Sequence, residues 1–131
     1  NNVIFANLVT LGGHVEVNEW ASVGGGVLIH QFCKVGSHVF VGGGYRIVQD
    51  VPPFIRAVKD PLEYSGINST GLQRRGFSQK ERSTIKNFYR YYFRSELTRT
   101  AALEKAEHEF SSDPYIKKIL EFIYSSERGI I

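Results

Sequence analysis

Large apolar residues recur at every sixth position between residues 5 and 47, and this spacing restricts what the segment can fold into. The anchor positions are Phe5, Leu11, Val17, Val23, Ile29, Val35, Val41 and Ile47. A second column of small or β-branched residues lies two positions before each of the first seven anchors. A period of six with such anchors predicts very short strands separated by sharp bends, three to a turn, so that eighteen residues form one coil of a β-helix.

Coils of eighteen residues place equivalent side chains above one another. Phe5 is expected to lie beneath Val23, and Leu11 beneath Ile29, so that aliphatic columns fill the interior. Small or turn-forming residues follow many anchors, and we expect the left-handed backbone angles of the corners there. These residues are Ala6, Gly12, Asn18, Gly24, Gly36 and Gly42. A sandwich of alternating short strands is the alternative, but eight consecutive matches at a strict period of six disfavour it.

The repeat ends at Pro52 and Pro53, because consecutive prolines cannot donate the hydrogen bonds of a strand ladder. We therefore divide the chain into three parts. These are β-helix coils at 1–53, an irregular connecting segment at 54–77 and a C-terminal helical domain at 78–131.

Three helix starts are predicted in the last part. Ser78 and Glu81 form a capping box, Thr98 caps a second helix, and Asp113 before a proline caps a third. The residues expected on the buried faces are Ile85, Phe88, Tyr89, Tyr92, Phe93, Leu103, Ala106, Phe110, Ile116, Ile119, Leu120 and Ile123.

Positive charge is concentrated between Arg56 and Arg99, where ten basic residues meet four acidic ones. This asymmetry of charge calls for an explanation, and a solvated helix face is the simplest alternative for any single basic residue. Nucleic acid is disfavoured, because the aromatic residues here are expected on apolar helix faces and not between the basic side chains. A single cysteine forms no internal disulfide, and the longest apolar runs are far shorter than the roughly 20 residues of a membrane span. We expect a cytoplasmic protein without an integral membrane segment.

Six short motifs follow one another in a specific order and spacing. They are Gly12-Gly13-His14-Val15, Val23-Gly24-Gly25-Gly26, Ile29-His30-Gln31-Phe32-Cys33, Val39-Phe40-Val41-Gly42-Gly43, Gln49-Asp50-Val51-Pro52-Pro53 and Gly71-Leu72-Gln73-Arg74-Arg75-Gly76-Phe77. With these motifs the sequence resembles the bacterial UDP-N-acetylglucosamine O-acyltransferases of lipid A biosynthesis, and the resemblance runs along the whole chain.

The resemblance implies both a fold and a reaction. The fold is mainly β with α: a left-handed parallel β-helix followed by a small C-terminal helical domain, assembled as a homotrimer with active sites between subunits. The reaction is the transfer of a 3-hydroxyacyl chain from acyl carrier protein to the 3-hydroxyl of UDP-N-acetylglucosamine, the first step of lipid A biosynthesis, without a metal or cofactor. Acyl carrier protein is acidic, so it is the expected partner of the basic stretch.

Five site residues in the coils are implied by the resemblance. The backbone N–H of Gly13 corresponds to the donor that stabilises the oxyanion. His14 corresponds to a substrate-contacting histidine, and His30 and Gln31 to a pair that contacts the sugar nucleotide. Gly43 falls where the family measures acyl-chain length. Plain corner glycines and solvated surface histidines are the alternatives for these positions.

The resemblance assigns the nucleotide end of the substrate to residues beyond the coils. Asn68, Arg74 and Arg75 correspond to residues that bind the nucleotide, and the fork of the Arg74 guanidinium suits a phosphate. Thr70 stands where the family usually has an acidic residue, so it is given no role.

The general-base histidine of the family has no counterpart in this chain. It would precede Asn1, and the sequence contains no methionine. We therefore expect the chain to be the C-terminal part of a longer enzyme, and to be inactive alone. Two alternatives remain open: a non-catalytic structural or binding solenoid, and a γ-carbonic-anhydrase-like zinc enzyme. The latter would have to use His14, His30 and His38 as its three imidazoles.

Overall fold

Each predicted anchor lies in a strand of two residues, and the strands form a left-handed parallel β-helix. The computed structural model describes residues 2–110 and 112–131. The strands are Ile4–Phe5 (β1), Thr10–Leu11 (β2), Glu16–Val17 (β3), Ser22–Val23 (β4), Leu28–Ile29 (β5), Lys34–Val35 (β6), Phe40–Val41 (β7) and Arg46–Ile47 (β8). They stack in the orders β1-β4-β7, β2-β5-β8 and β3-β6, which are the three sides of the coil. The predicted fold class is confirmed.

Strands that pair are eighteen residues apart, as the sequence predicts. Phe5 pairs with Val23, and Leu11 pairs with Ile29. Burial rises along the columns: Phe5 is 43% exposed, Val23 is 2% exposed and Val41 is fully buried. The aliphatic columns therefore form the interior of the β-helix, and the second and third coils contain its well-buried part.

The corners turn at a different position from the predicted one. Left-handed backbone angles occur three residues after each of the first seven anchors. The residues are Leu8 (φ 65°), His14 (φ 56°), Trp20 (φ 64°), Gly26 (φ 73°), Phe32 (φ 64°), His38 (φ 59°) and Gly44 (φ 80°). The prediction that placed these angles directly after the anchors, at residues such as Gly12 and Gly24, was wrong. Five of the seven left-handed residues carry side chains, and each such residue costs about 1 kcal/mol or more.

The glycines that follow the anchors are explained by the contact between coils. A Cβ atom at Gly24 would lie 2.4 Å from the backbone nitrogen of Gly43, and one at Gly36 would lie 2.5 Å from the nitrogen of Pro53. Neither distance is sterically possible, so the backbone of the next coil excludes any side chain there. Glycine at these positions serves close packing and not corner geometry.

The segment 54–77 is ordered, contrary to the prediction of an irregular connection. It contains Ile55–Val58 (β9), Glu63–Ile67 (β10) and a short helix, Ser69–Arg74 (α1). Strand β9 extends the first side of the coil by pairing in parallel with β7, with Phe40 opposite Arg56. It then pairs antiparallel with β10. Phe40 and Arg56 are sixteen residues apart instead of eighteen, so a search for a strict period of six misses β9.

The three helix starts are confirmed. The helices are Gln79–Arg94 (α2), Arg99–Glu109 (α3) and Pro114–Ser125 (α4). Ser78 and Glu81 form the reciprocal capping box, with distances of 2.7 and 3.0 Å. Thr98 and Asp113 cap the other two helices. Along the described ranges, no helix combines the length and the apolar character needed to cross a bilayer.

The buried faces of α2 and α4 are largely as predicted, whereas that of α3 differs. In α3, Ala102 and Ala106 are buried, and Leu103 and Phe110 are only partly buried. The small alanines let α3 approach α2 closely, and the prediction overlooked Ala102 because it favoured larger side chains.

Two buried hydrogen-bonded groups join the helices to the coils. The Tyr89 hydroxyl of α2 donates to the carbonyl oxygen of Pro53 at 2.5 Å. The carboxylate of Asp50 accepts from the backbone N–H of Lys34 at 2.7 Å and from the hydroxyl of Ser126 at 2.6 Å. The helical domain is thus fixed on the end of the β-helix, and the position of α1 beside the coils follows from this attachment.

We predict that Gly24→Ala lowers the free energy of unfolding by about 2–4 kcal/mol, because the added methyl group overlaps the backbone of the coil above. Gly13→Ala is the matched control, since a Cβ atom there would have nothing within 4 Å. Its effect should be within about 0.5 kcal/mol. Urea unfolding followed by circular dichroism measures both. Equal effects of the two substitutions would contradict the assignment.

Candidate active site

One corner of the coil carries four of the predicted site residues. Gly13 and His14 lie between β2 and β3, and His30 and Gln31 lie in the corner above, between β5 and β6. His14 is not directly beneath His30. It stacks on Phe32, with ring centroids 5.1 Å apart and planes at 3°. The structure therefore brings the four residues to one corner. The ring of Phe32 stacks parallel to the His14 imidazole and fixes its orientation.

Gly13 is not required by the fold. Its φ angle lies outside the left-handed region, and a Cβ atom would meet nothing within 4 Å. Within residues 2–110 and 112–131, its N–H donates to no backbone or side-chain acceptor. The structure thus gives no support to the alternative of a plain corner glycine. An open N–H beside an exposed histidine can donate to a ligand oxygen.

A second group of predicted residues lines an open cavity of about 540 Å³. The cavity is formed by the first side of the coil together with β10 and α1. Its lining is Ser22, Phe40, Arg56, Ser65, Ile67, Asn68, Ser69, Thr70, Gly71, Arg74 and Arg75. Three guanidinium groups therefore border one cavity, and no carboxylate is among the lining residues. The cavity can bind a phosphate-bearing ligand by charge.

Arg56 is a lining residue that the sequence analysis did not single out. Its guanidinium lies over the ring of Phe40, 5.9 Å from the ring centroid. Arg56 belongs to β9. Because the sequence pattern did not predict this strand, it gave no indication that the Arg56 side chain lines the cavity.

The two neighbouring arginines of α1 have different surroundings. The guanidinium of Arg75 lies 5.0 Å over the ring of Trp20, and its Nη1 is 3.0 Å from Nδ1 of His38. Burial, followed by the nearby charge of Arg74, lowers the pKa of Arg75 from its ordinary value. Arg74 is exposed and forms no salt bridge with any described residue. Arg75 is thus held within the chain, whereas Arg74 is free to bind a ligand.

Asn68 is held at the start of α1. Its side-chain oxygen accepts from the N–H of Gly71 at 3.3 Å, and its Nδ2 donates to the carbonyl oxygen of His38 at 2.9 Å. Both polar atoms of its amide are therefore occupied in this chain. A ligand in the cavity would meet the edge of this amide and the exposed Thr70 beside it.

His38 is buried and was not predicted to take part in the nucleotide site. Its ring packs against Trp20, Phe54 and Phe77, with centroid distances of 6.4, 5.6 and 5.0 Å. Burial, then the positive charge of Arg75, lowers the pKa of His38 to about 4. The ring is neutral at pH 7, so Nδ1 can accept a hydrogen bond from Arg75.

The chain does offer one signal for His38. It lies eighteen residues after Trp20, which places the two rings on successive coils of one corner. Two aromatic rings in one corner column, at left-handed positions, are the sequence signal that could have identified this corner as a candidate site.

Gly43 lies in a third corner, after β7. A Cβ atom there would be 3.2 Å from the carbonyl oxygen of Gly25 in the coil below. Close packing of the coils therefore explains at least part of the absence of a side chain. The role of Gly43 in acyl-chain length stays a prediction.

The three histidines of the zinc alternative do not form a cluster. Across the described stretches 2–110 and 112–131, no group of three or more His, Cys, Asp or Glu side chains is arranged to hold a metal ion. His38 is in a different corner from the other two and is enclosed by aromatic rings. The zinc alternative therefore has no support in this part of the chain.

Comparison with known proteins decides the family. The family model described as UDP-N-acetylglucosamine O-acyltransferase, domain 2, matches residues 50–131. The chain belongs to this family. The match covers Arg56, Asn68 and the two arginines of α1, which are the residues around the cavity.

Curated members of this family match the remaining residues as well. An acyl-[acyl-carrier-protein]–UDP-N-acetylglucosamine O-acyltransferase of Thiobacillus denitrificans is 40% identical over 131 residues, which is 100% of this chain and 51% of that protein. A protein with the same description from Herminiimonas arsenicoxydans is 42% identical over 135 residues, with 100% and 52% covered. The chain thus spans about half the length of the curated relatives it matches.

Solved structures of acyltransferases share the fold. The UDP-N-acetylglucosamine acyltransferase of Francisella novicida matches with a TM-score of 0.95 and 32% identity, covering 100% of this chain and 48% of that one. The Arabidopsis UDP-N-acetylglucosamine acyltransferase matches with a TM-score of 0.91 and 34% identity, covering 99% and 49%. The match extends over both the coils and the helical domain.

The two groups of candidate site residues lie on different sides of the chain. Gly13, His14, His30 and Gln31 are at the corner between the second and third sides of the coil. The cavity lies against the first side, beside α1. Within one chain the two groups therefore face different sides of the coil.

We predict that the chain loses stability below neutral pH because of His38. Its pKa is about 4 when folded and about 6.5 when unfolded. Between these values the unfolded chain binds more protons, so stability is highest above pH 6.5 and falls as the pH approaches 4. Two more charged groups face this ring: Lys118 lowers the pKa of His38, and Glu19 raises it.

From pH 7 to pH 5 the loss from His38 should be about 2 kcal/mol. Urea unfolding of the wild type and of His38→Asn at both pH values isolates this loss, since the variant has no titrating group there. Exposed His108 is the control: His108→Asn should keep the wild-type pH dependence. An identical pH dependence in His38→Asn would contradict the prediction.

Proposed function

We propose that the protein containing this chain transfers a 3-hydroxyacyl chain from acyl carrier protein to the 3-hydroxyl of UDP-N-acetylglucosamine, the first step of lipid A biosynthesis. The observation that carries the proposal is the cavity with three guanidinium groups, whose Arg74 is exposed and free of any ion pair with a described residue. The curated relatives, which are named for this acyl donor class and this sugar nucleotide, support the same reaction.

The diphosphate of the sugar nucleotide binds at the cavity. Arg74 donates two parallel hydrogen bonds to it, and Arg56 of β9, which also lines the cavity, adds positive charge. Arg75 has its guanidinium held by His38, so it contributes charge and fixes the backbone of α1. Asn68 and Thr70 border the nucleoside end of the ligand.

The reacting end of the substrate lies at the corner that carries Gly13. A general base takes the proton of the 3-hydroxyl as the oxygen attacks the thioester carbonyl. The tetrahedral oxyanion then collapses, the C–S bond breaks, and the sulfur leaves as a thiol by taking that proton from the base. The open N–H of Gly13 donates to that oxyanion. His14, His30 and Gln31 orient the sugar. The resemblance assigns the base to a histidine that these 131 residues do not include, so the chain alone should be inactive.

A homotrimer with sites between subunits would bring the two groups of residues together. Within one chain they face different sides of the coil, and a neighbouring copy rotated about a threefold axis would present its cavity to the corner of the first. Each site would then use the corner of one subunit and the α1 segment of the next.

Acyl carrier protein is the proposed donor. Exposed basic side chains lie along α2, namely Lys80, Lys86, Arg90 and Arg94. An acidic carrier would be steered toward them, and added salt would slow its association. We place the reaction in the cytoplasm, in keeping with the single, buried and free Cys33.

We predict that Arg74→Ala in the full-length gene product weakens binding of UDP-N-acetylglucosamine by about 1.5–3 kcal/mol, the range for a charged hydrogen bond. Arg74→Lys should recover only part of this loss, because an ammonium group cannot donate two parallel hydrogen bonds to the diphosphate. The measurement is the Michaelis constant for the sugar nucleotide in an acyl-transfer assay with 3-hydroxyacyl-acyl carrier protein.

Lys86→Ala is the control for a general loss of positive charge, since Lys86 lies on α2 away from the cavity lining. It should leave the Michaelis constant for the sugar nucleotide near that of the wild type. Absence of acyl transfer by the wild-type full-length protein would overturn the proposed function. Unchanged kinetics in Arg74→Ala would overturn the role of this arginine.

A further inference from the structure

His38 contacts both residues that fix the α1 segment, although neither the family resemblance nor the sequence pattern gives it a role there. Its carbonyl oxygen accepts from Nδ2 of Asn68 at 2.9 Å, and its Nδ1 lies 3.0 Å from Nη1 of Arg75. One residue of the β-helix thus holds the start and the end of α1. This helix carries Arg74 on its last turn.

The imidazole is itself held firmly. The residue is 7% exposed, its ring packs between Trp20 and Phe54, and the edge of Phe77 meets it. Its backbone is left-handed, with φ of 59°. The equivalent residues of the other corners share this angle, so it follows from the coil geometry, and the packing of the aromatic rings is what holds the imidazole.

The charge state of the ring suits an acceptor role. Burial and the flanking cations keep it neutral at pH 7. A neutral ring with its proton on Nε2 leaves the Nδ1 lone pair for the Arg75 guanidinium, which donates only. Trp20 covers the face of the same guanidinium at 5.0 Å, so Arg75 is fixed from two directions.

Gly71 shows how closely α1 is fitted to this arrangement. A Cβ atom there would lie 2.5 Å from Nδ2 of Asn68 and 3.1 Å from Nη1 of Arg75. The side chains that contact His38 therefore pack directly on the backbone of α1. A shift of either side chain would move the helix and, with it, the direction of Arg74.

We propose that His38 is a positioning residue for the sugar-nucleotide site: it holds Asn68 and Arg75 and so sets where Arg74 meets the diphosphate. The proposal rests on the proposed function of the cavity. His38 does not touch the ligand. Its effect is on the binding of the sugar nucleotide and not on the acyl-transfer step.

The test compares two substitutions in the full-length gene product. His38→Phe keeps an aromatic ring in the cluster and removes the Nδ1 acceptor. Phe32 and Phe54 already occupy left-handed positions in this chain, so the backbone tolerates the change. His38→Asn loses the ring but places its side-chain oxygen near the position of Nδ1. Titration calorimetry with UDP-N-acetylglucosamine and steady-state kinetics are the measurements.

His38→Phe should raise the dissociation constant and the Michaelis constant for the sugar nucleotide about tenfold, with kcat within about threefold of wild type, because a charge-assisted hydrogen bond is lost only from the binding site. His38→Asn should recover most of the affinity. The matched control His108→Phe, at an exposed histidine of α3, should behave like the wild type.

The outcomes separate the two claims. If the wild type does not bind the sugar nucleotide, the proposed function fails, and this inference fails with it. If the wild type binds and a folded His38→Phe binds equally well, only the role of His38 is overturned. If His38→Phe does not fold, Trp20→Leu decides, because this side chain is partly exposed and its loss frees one face of the Arg75 guanidinium. Its affinity should fall about threefold, and wild-type affinity would overturn the proposal.

Discussion

The backbone pairing between successive coils is the constraint on which the rest of the structure depends. Because every coil is eighteen residues long, each corner residue lies on its counterpart in the next coil, and the columns of the sequence become columns in space. This pairing sustains left-handed backbone angles at His14, Trp20, Phe32 and His38, where side chains make them costly. The same pairing sets these four side chains at fixed positions along the corners.

The attachment of the helical domain then determines where the nucleotide site can be. Asp50 and Tyr89 fix the helices on the end of the β-helix, and His38 fixes α1 beside its first side. The cavity with its exposed Arg74 forms at this junction. The corner that carries Gly13 lies on another side of the same chain, and we propose that the site is completed where two copies meet.

Much of this architecture follows from the sequence, because the features concerned are local or strictly periodic. The anchor columns give the coil and its register, and the capping residues Ser78, Thr98 and Asp113 give the helix starts. The corner positions were missed because glycine was taken as a sign of a left-handed angle. At Gly24 it instead reflects contact with the backbone of another coil, which no local pattern reports.

The sequence pointed to Asn68, Arg74 and Arg75, which line the cavity, but not to the contacts that hold them. The motif around Arg74 and Arg75 identified both arginines. Only the packing of Arg75 against Trp20 and His38 shows that Arg75 is held within the chain and that Arg74 is available to a ligand. Arg56 and His38 were missed for related reasons: β9 departs from the period by two residues, and the contact of His38 joins positions 37 residues apart. Such long-range contacts depend on how the domains dock.

The central claim is that one site uses the corner of one subunit and the α1 segment of the next. Mixed oligomers of the full-length protein test it most directly. His14→Ala and Arg74→Ala subunits are co-expressed and purified as hetero-oligomers. Acyl transfer is measured at a sugar-nucleotide concentration well below the Michaelis constant of Arg74→Ala, where each parent is expected to have little activity. If each site is shared, about a quarter of the sites in a random equal mixture combine two wild-type contributions, and activity returns to that level. Hetero-oligomers as inactive as either parent would contradict the account.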